Sequence, residues 1–265
     1  MNNENVNEPR SNTPLLIIGL VFVVALLGGW WFYSSSKANP HANIANGNTN
    51  NGPKPKSGAT IPANAPPGAQ PAHTMGSATA SVTIEEFADY QCPQCAMAHP
   101  IMNEIKSMYG TRINFIFREF PLDIKAHDKS YDAAVAAEAA GLQSPAKFWE
   151  MQNMLFNNQK AWTDNPNFKQ MWKEYAQKIG LDVAKWEADI AGLSARTRVD
   201  EDKKRGKAIG INGTPTIFLN GYALDLPEIG VQPLKRLIDA ELEKNSNSAA
   251  NSAPEGKPPA APANQ

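Results

Sequence analysis

The chain has 265 residues, a formal net charge of −1 and two cysteines. A charge this near neutrality gives no electrostatic footprint for nucleic acid or for a strongly acidic partner. Two cysteines exclude a disulfide framework, because a second bridge has no sulfur to use.

Residues 1–14 form a polar amino-terminal tail. Leu15 to Tyr33, LLIIGLVFVVALLGGWWFY, then carries no charge. As a helix this run spans about 28 Å, close to the thickness of the hydrocarbon core of a bilayer. Trp30, Trp31 and Tyr33 cluster at its far end, as interfacial aromatics do. The alternative is a cleaved signal peptide, but Ser36 and Ala38 make a poor cleavage site and the apolar run is long for one. The expectation is therefore an uncleaved single-pass transmembrane helix. Basic residues leave its orientation open, since Arg10 precedes it along with Glu4 and Glu8, and Lys37, Lys54 and Lys56 follow it.

Residues 34–80 are mostly Asn, Ala, Pro, Gly, Ser and Thr, and so are residues 245–265. Such segments bury too little apolar surface to offset their ordering entropy, which predicts a disordered linker and a disordered tail. The linker would reach roughly 35–40 Å. Between them, residues 81–244 are about right for one domain with a substantial core.

That domain opens with SVTIEEF, a strand candidate, and the loop Ala88–Gln91 leads into CPQC and a helix to about Tyr109. Met97, Ile101, Ile105 and Met108 are the apolar positions expected to face its core. TRINFIFREF is the second strand, closed by Pro121. Helices follow at Tyr131–Leu142 and Phe148–Phe156. Another starts near Asp164 with Pro166 in its first turn and presents Phe168, Met171, Trp172, Tyr175 and Ile179. A further helix carries Val183, Trp186 and Ile190, and Ser194 is a candidate cap for the next. Strand character returns at TPTIFLNGYAL, where Asn220-Gly221 signals a hairpin. Val231–Lys244 is the closing helix. The plan is β-α-β, an all-helical insertion over about residues 125–208, then β-β-α. Trp149, Trp172, Trp186, Phe148 and Phe168 read as core, His127 as a cap or surface group, and Asp200–Lys207 as a solvated helix face.

A Cys-x-x-Cys pair can be accidental, half a zinc site, or a redox pair. Tetrahedral zinc needs two more ligands. With His41 and His73 in the linker, only His99 and His127 remain to supply them. No metal is expected. The redox reading has positive support, because the motif follows a strand, opens a helix and sits in a β-α-β unit. Its spacing lets two sulfurs meet within one turn. Cys92, at the helix amino terminus, feels the positive end of the macrodipole and unpaired N–H groups, both of which favour a thiolate. It is expected to be the exposed, attacking sulfur, with Cys95 shielded one turn below as the resolving thiol. Pro93 suits the first helical turn, where its missing N–H costs nothing.

ADYQCPQC, the REFPL after the second strand, and GTPT at Gly213–Thr216 together resemble the DsbA-like branch of the thioredoxin superfamily. The resemblance covers Ser81 to about Lys244. It implies a thioredoxin-like α/β fold with a helical insertion between its halves, and protein disulfide oxidoreductase activity needing no cofactor beyond the Cys92–Cys95 disulfide. It matches Pro215 to a cis-proline beside that disulfide, and Thr214 to the residue whose backbone pairs with a bound peptide. With Pro93 and Gln94, these two form the implied substrate-binding rim. Glu86 matches a buried acid that serves Cys95. The other reading of Glu86 is a surface strand residue paired with Arg118. Asp89 and Tyr90 are expected to shape the loop and the rim of the groove. Strong oxidases of the family carry His where this chain has Gln94, a neutral amide, so a milder oxidant is expected.

The function the resemblance implies is disulfide donation to unfolded or reduced secreted proteins, with a membrane partner reoxidising the pair as in the family. Such chemistry needs a compartment where thiols are not kept reduced. That places the anchor in the bacterial inner (cytoplasmic) membrane with the domain facing the periplasm or outside. A reductase or isomerase, and a non-catalytic redox-modulated chaperone or binding module, are the alternatives.

Overall fold

A computed structural model of the chain describes residues 60–251. The expected anchor at Leu15–Tyr33, the tail 1–14 and the linker up to residue 59 lie outside the described residues, as do residues 252–265. Among the described residues no helix is long and apolar enough to cross a membrane.

The sheet has five strands in the order β1-β3-β2-β4-β5. They are β1 (His73–Gly76), β2 (Thr83–Ala88), β3 (Asn114–Glu119), β4 (Thr216–Leu219) and β5 (Tyr222–Ala223). β2 and β3 pair in parallel, joined by helix α1 (Pro93–Tyr109), as a crossover connection requires. β4 pairs antiparallel with β2, and β5 antiparallel with β4. Asn220 and Gly221 both have positive φ, 48° and 81°, which is the turn the Asn-Gly signal predicts. Between β3 and β4 come α2 (Ser130–Gly141), α3 (Pro145–Asn157), α4 (Gln159–Thr163), α5 (Phe168–Lys178), α6 (Val183–Ala191) and α7 (Leu193–Ala208), and α8 (Val231–Asn251) closes the chain.

Period-two alternation gives each face of the sheet its own layer. Ile84 and Ala88 of β2 join Phe115 and Phe117 of β3 in the main core, with α1 and the inserted helices. Glu86 lies between Ile84 and Ala88 on that same face. Phe87 points the other way, into a smaller cluster with Phe120, Phe218 and Ala223. Gly206 of α7 is required there, because a Cβ would strike the ring of Phe120. Trp149, Trp172, Trp186 and Phe148 are buried and Phe168 packs against the core, as their helical spacing predicts.

The structure corrects several expectations. The segment from residue 60 to 80, predicted to belong to a disordered linker, instead supplies β1, which pairs antiparallel with the outer edge of β3. Main-chain hydrogen bonds to an open edge do not depend on side-chain β-propensity, so composition hides such a strand. The closing helix runs on to Asn251, past the predicted start of the tail. α1 buries Cys95, Ala98, His99, Met102, Ile105 and Tyr109, while Met97 is 64% exposed and Met108 40%. Of the predicted stripe, Ile105 is buried and Ile101 packs against the core, whereas Met97 and Met108 lie at the solvent side. α5 begins only at Phe168, after a short α4 that hydropathy alone did not separate, and Gly192 rather than Ser194 occupies the cap of α7.

The run Asp200–Lys207 is not simply a solvated face. Asp202 is 1% exposed, and its carboxylate accepts from Arg118 at 2.9 Å and from the backbone N–H groups of Ala69 and Glu119. Arg118 also donates to Glu85 at 2.7 Å, and Arg205 binds the other oxygen of Glu85 at 2.7 Å. Burial works against the Glu85 carboxylate, but the Arg205 and Arg118 guanidiniums hold it below its ordinary value. These arginines also grip the entering chain. Arg118 reaches the carbonyls of Pro67 and Ala69, Arg205 that of Pro66, and Arg198 those of Gln70 and Pro71.

Candidate active site

Cys92 caps the amino end of α1 with an extended backbone (φ −71°, ψ 119°), and Pro93 takes the first turn. Its Sγ lies 3.2 Å from the carbonyl oxygen of Thr214 and 3.5 Å from Oε1 of Gln94. The peptide bond between Thr214 and Pro215 is cis. Pro93, Gln94, Thr214 and Pro215 thus all gather around Cys92, although 122 positions separate Cys92 from Thr214.

Both cysteines are free thiols in this structure. Cys95 is fully buried, as expected, but Cys92 is only 3% exposed, which corrects the expectation of an open sulfur. The Thr214 carbonyl and the Gln94 amide cover it. The thiol of Cys92 is drawn down from its ordinary value to about 6. The Cys95 sulfhydryl contributes most. Burial opposes the shift, and the Thr214 hydroxyl and the backbone N–H groups of Cys95 and Gln94 add to it. Burial pushes Cys95 well above its ordinary value, reinforced by its hydrogen bond to Cys92. Thiolate stabilisation here does not require a charged residue at Gln94.

This asymmetry gives the first expected result. A depressed thiol pKa stabilises the reduced fold above the ordinary value, and that stabilisation is lost as pH falls through about 6. Thiolate absorbance of the reduced chain is expected to titrate with a midpoint near 6. A midpoint near that of a free thiol, about 8.5, would remove the reason for Cys92 to act as leaving group.

The loop before Cys92 is held from below and from the side. Asp89 is buried, and its carboxylate accepts from the Gln91 N–H, the Leu122 N–H, the Ser130 hydroxyl and Nδ1 of His127 at 2.7 Å. Tyr90 is buried too, donating to Glu119 at 2.9 Å. Asp89 and Tyr90 are therefore the loop's internal frame, not its rim. Gln159 of α4 donates to the carbonyls of both Tyr90 (2.7 Å) and Cys92 (2.9 Å), clamping the cap of α1 to the helical insertion. The sequence offered no signal for it, since a lone Gln on a short helix has no pattern.

Glu86 is 4% exposed on the α1 face of β2, so it is a buried acid, and Arg118 is engaged by Glu85 and Asp202 instead. Burial raises the Glu86 carboxyl to about 7, against the pull of the Lys106 ammonium. Burial lowers Lys106 in turn to about 8, against the pull of Glu86. Lys106 was missed in the sequence. It lies seven positions beyond His99 on the buried side of α1, a place where a lysine is itself a signal.

The two histidines that could complete a zinc site are engaged elsewhere. Nε2 of His99 bonds Asn153 at 2.8 Å, and His127 bonds Asp89. Among the described residues no group of three or more His, Cys, Asp or Glu side chains is placed to hold a metal ion.

The thioredoxin family profile matches residues 69–240. Among solved structures, oxidised BdbD from Bacillus subtilis superposes with a TM-score of 0.54 at 22% identity, covering 72% of this chain and 100% of that one. The α-DsbA1 of Wolbachia pipientis gives 0.57 at 18% identity, over 68% of this chain and 95% of that one. These likenesses concern the fold. A sodium/proton antiporter, NhaA 1 of Mycolicibacterium vanbaalenii, is 35% identical over 151 residues, which are 56% of this chain. The match spans only 23% of that antiporter's length, so this chain is similar to one portion of it.

Proposed function

Because the chain belongs to the thioredoxin family, we propose that it is a thiol–disulfide oxidoreductase of the DsbA type, donating the Cys92–Cys95 disulfide to reduced proteins outside the cytoplasm. One observation carries the reading. A sulfur at a helix amino terminus, its thiol drawn down to about 6, sits 3.2 Å from the carbonyl that precedes cis-Pro215, with its partner thiol buried one turn below.

In the forward step a substrate thiolate attacks Sγ of Cys92 in the disulfide. The new S–S bond forms as the old one breaks, and Cys95 departs and takes up a proton. A second substrate thiolate then attacks the substrate sulfur, and Cys92 leaves as a thiolate. Two electrons have passed from substrate to the cysteine pair. The low pKa of Cys92 makes it the better leaving group and favours this direction. The backbone of Thr214 offers a main-chain edge for an extended substrate segment. A membrane partner would return the pair to the disulfide. The apolar run at Leu15–Tyr33 supports a membrane anchor, and the need for a compartment where thiols are not kept reduced supports an inner-membrane, N-in and C-out orientation. The test is catalysed oxidation of a reduced, unfolded protein by the oxidised chain, with in vivo thiol trapping of Cys92 and Cys95. A mostly reduced pair in vivo would reverse the direction and favour a reductase.

Glu86 fits the proton carrier for Cys95, being a buried acid that titrates near neutrality. Glu86→Gln is expected to slow attack by Cys95 on a mixed disulfide by ~10²-fold. A carboxyl whose folded pKa is raised contributes stability that is full below its ordinary value and lost as pH rises through about 7. Wild-type stability should therefore decline across that window in a component that Glu86→Gln lacks. An unchanged resolution rate, measured by stopped-flow, would leave Glu86 a structural residue only.

A further inference from the structure

Behind the active site, on the far part of α1, lies a cavity of about 410 Å³ lined by Met75, Asn103, Lys106, Ser107, Trp149 and Asn153 among others. Its size falls in the range of small-molecule sites. Lys106 Nζ sits 4.8 Å from the ring centroids of both Phe115 and Trp149. No oxygen among the described residues accepts a hydrogen bond from it, and its nearest influence of opposite charge is Glu86, acting through space. Lys106 is half-buried and lines the cavity, so its ammonium is open to an anion entering there.

A second donor is also idle. Oδ1 of Asn153 is taken by Asn103 and His99, but its Nδ2 group has no acceptor among the described residues. A cation and an amide donor therefore line one cavity whose other walls are a tryptophan ring and a methionine. That pairing suits an anion carrying an apolar body.

We propose that this cavity binds a small organic carboxylate, its anion on Lys106 Nζ and Asn153 Nδ2 and its apolar body against Trp149 and Met75. The site stands independently of the disulfide chemistry. It meets that chemistry at one point, because the ligand and Glu86 compete for the same ammonium. Glu86 repels an incoming carboxylate, so removing its charge should help the ligand.

Calorimetric titration of benzoate into the full-length chain tests this. Saturable one-to-one binding is expected. Lys106→Met should weaken it at least tenfold and Glu86→Gln should tighten it several-fold. Ser107→Trp, which puts a large ring into the cavity lining and keeps the ammonium, should also weaken it at least tenfold while leaving disulfide exchange intact. Absence of saturable binding, or equal affinity in Lys106→Met, would overturn the proposal. Sulfate or chloride binding as well as benzoate would overturn the part assigned to the apolar walls. A circular dichroism spectrum and urea midpoint of Lys106→Met matching those of the wild type exclude misfolding as the cause of its loss.

Discussion

Cys92→Ser is expected to lower catalysed oxidation of a reduced substrate by more than about 10³-fold, the largest effect of any single change in this chain. The replacement leaves no sulfur at the amino terminus of α1 to receive the substrate, and a serine hydroxyl does not exchange with disulfides. Cys95→Ser should fail differently. Its Cys92 keeps the helix terminus and the Thr214 carbonyl at 3.2 Å, so it still attacks a disulfide. The mixed disulfide it forms then has no resolving thiol and should accumulate, visible as a reducible adduct on a non-reducing gel. Full activity in Cys92→Ser would sink the oxidoreductase reading and leave a binding module. Equal adduct formation by both variants would contradict the assigned order of attack.

Arg118→Met is expected to destabilise the fold by about 3–5 kcal/mol, the usual cost of leaving a buried charge without its partner. Arg118 bridges Glu85 and Asp202 and holds two carbonyls of the entering chain. Without it Glu85 keeps Arg205, but Asp202 retains only backbone donors. Asp202 already titrates above its ordinary value because of burial, with Arg118 pulling against that shift. In the variant its carboxyl should rise further. Its contribution is full below the ordinary value and lost as pH rises through the folded one, so the deficit should shrink in acid. Urea unfolding at neutral and acidic pH measures both. A loss under about 1 kcal/mol would mean that the network merely ornaments a fold held by its two cores.

The redox pair was legible because its physics is local. Cys92 and Cys95 are one helical turn apart, Pro93 marks the first turn, and the strand before them is a short β-branched run. Each needs only neighbours a few positions away. The hairpin at Asn220-Gly221 was legible for the same reason, since two residues with positive φ make that turn by themselves. Pro215 and Glu86 could be matched to a family pattern, but what they touch could not be read from spacing.

What the tertiary structure decided are meetings between distant segments. The sheet and the position of α1 bring Thr214 to Cys92, Lys106 to the neighbourhood of Glu86, and Gln159 to the carbonyl of Cys92. Composition described residues 60–80 as linker, yet an open edge of β3 and three arginines supply the hydrogen bonds that order them. Local spacing determines which residues can share a turn or a strand face. Whether a charge is buried, paired or left waiting for a partner depends on chain-distant groups that only the folded topology brings within reach.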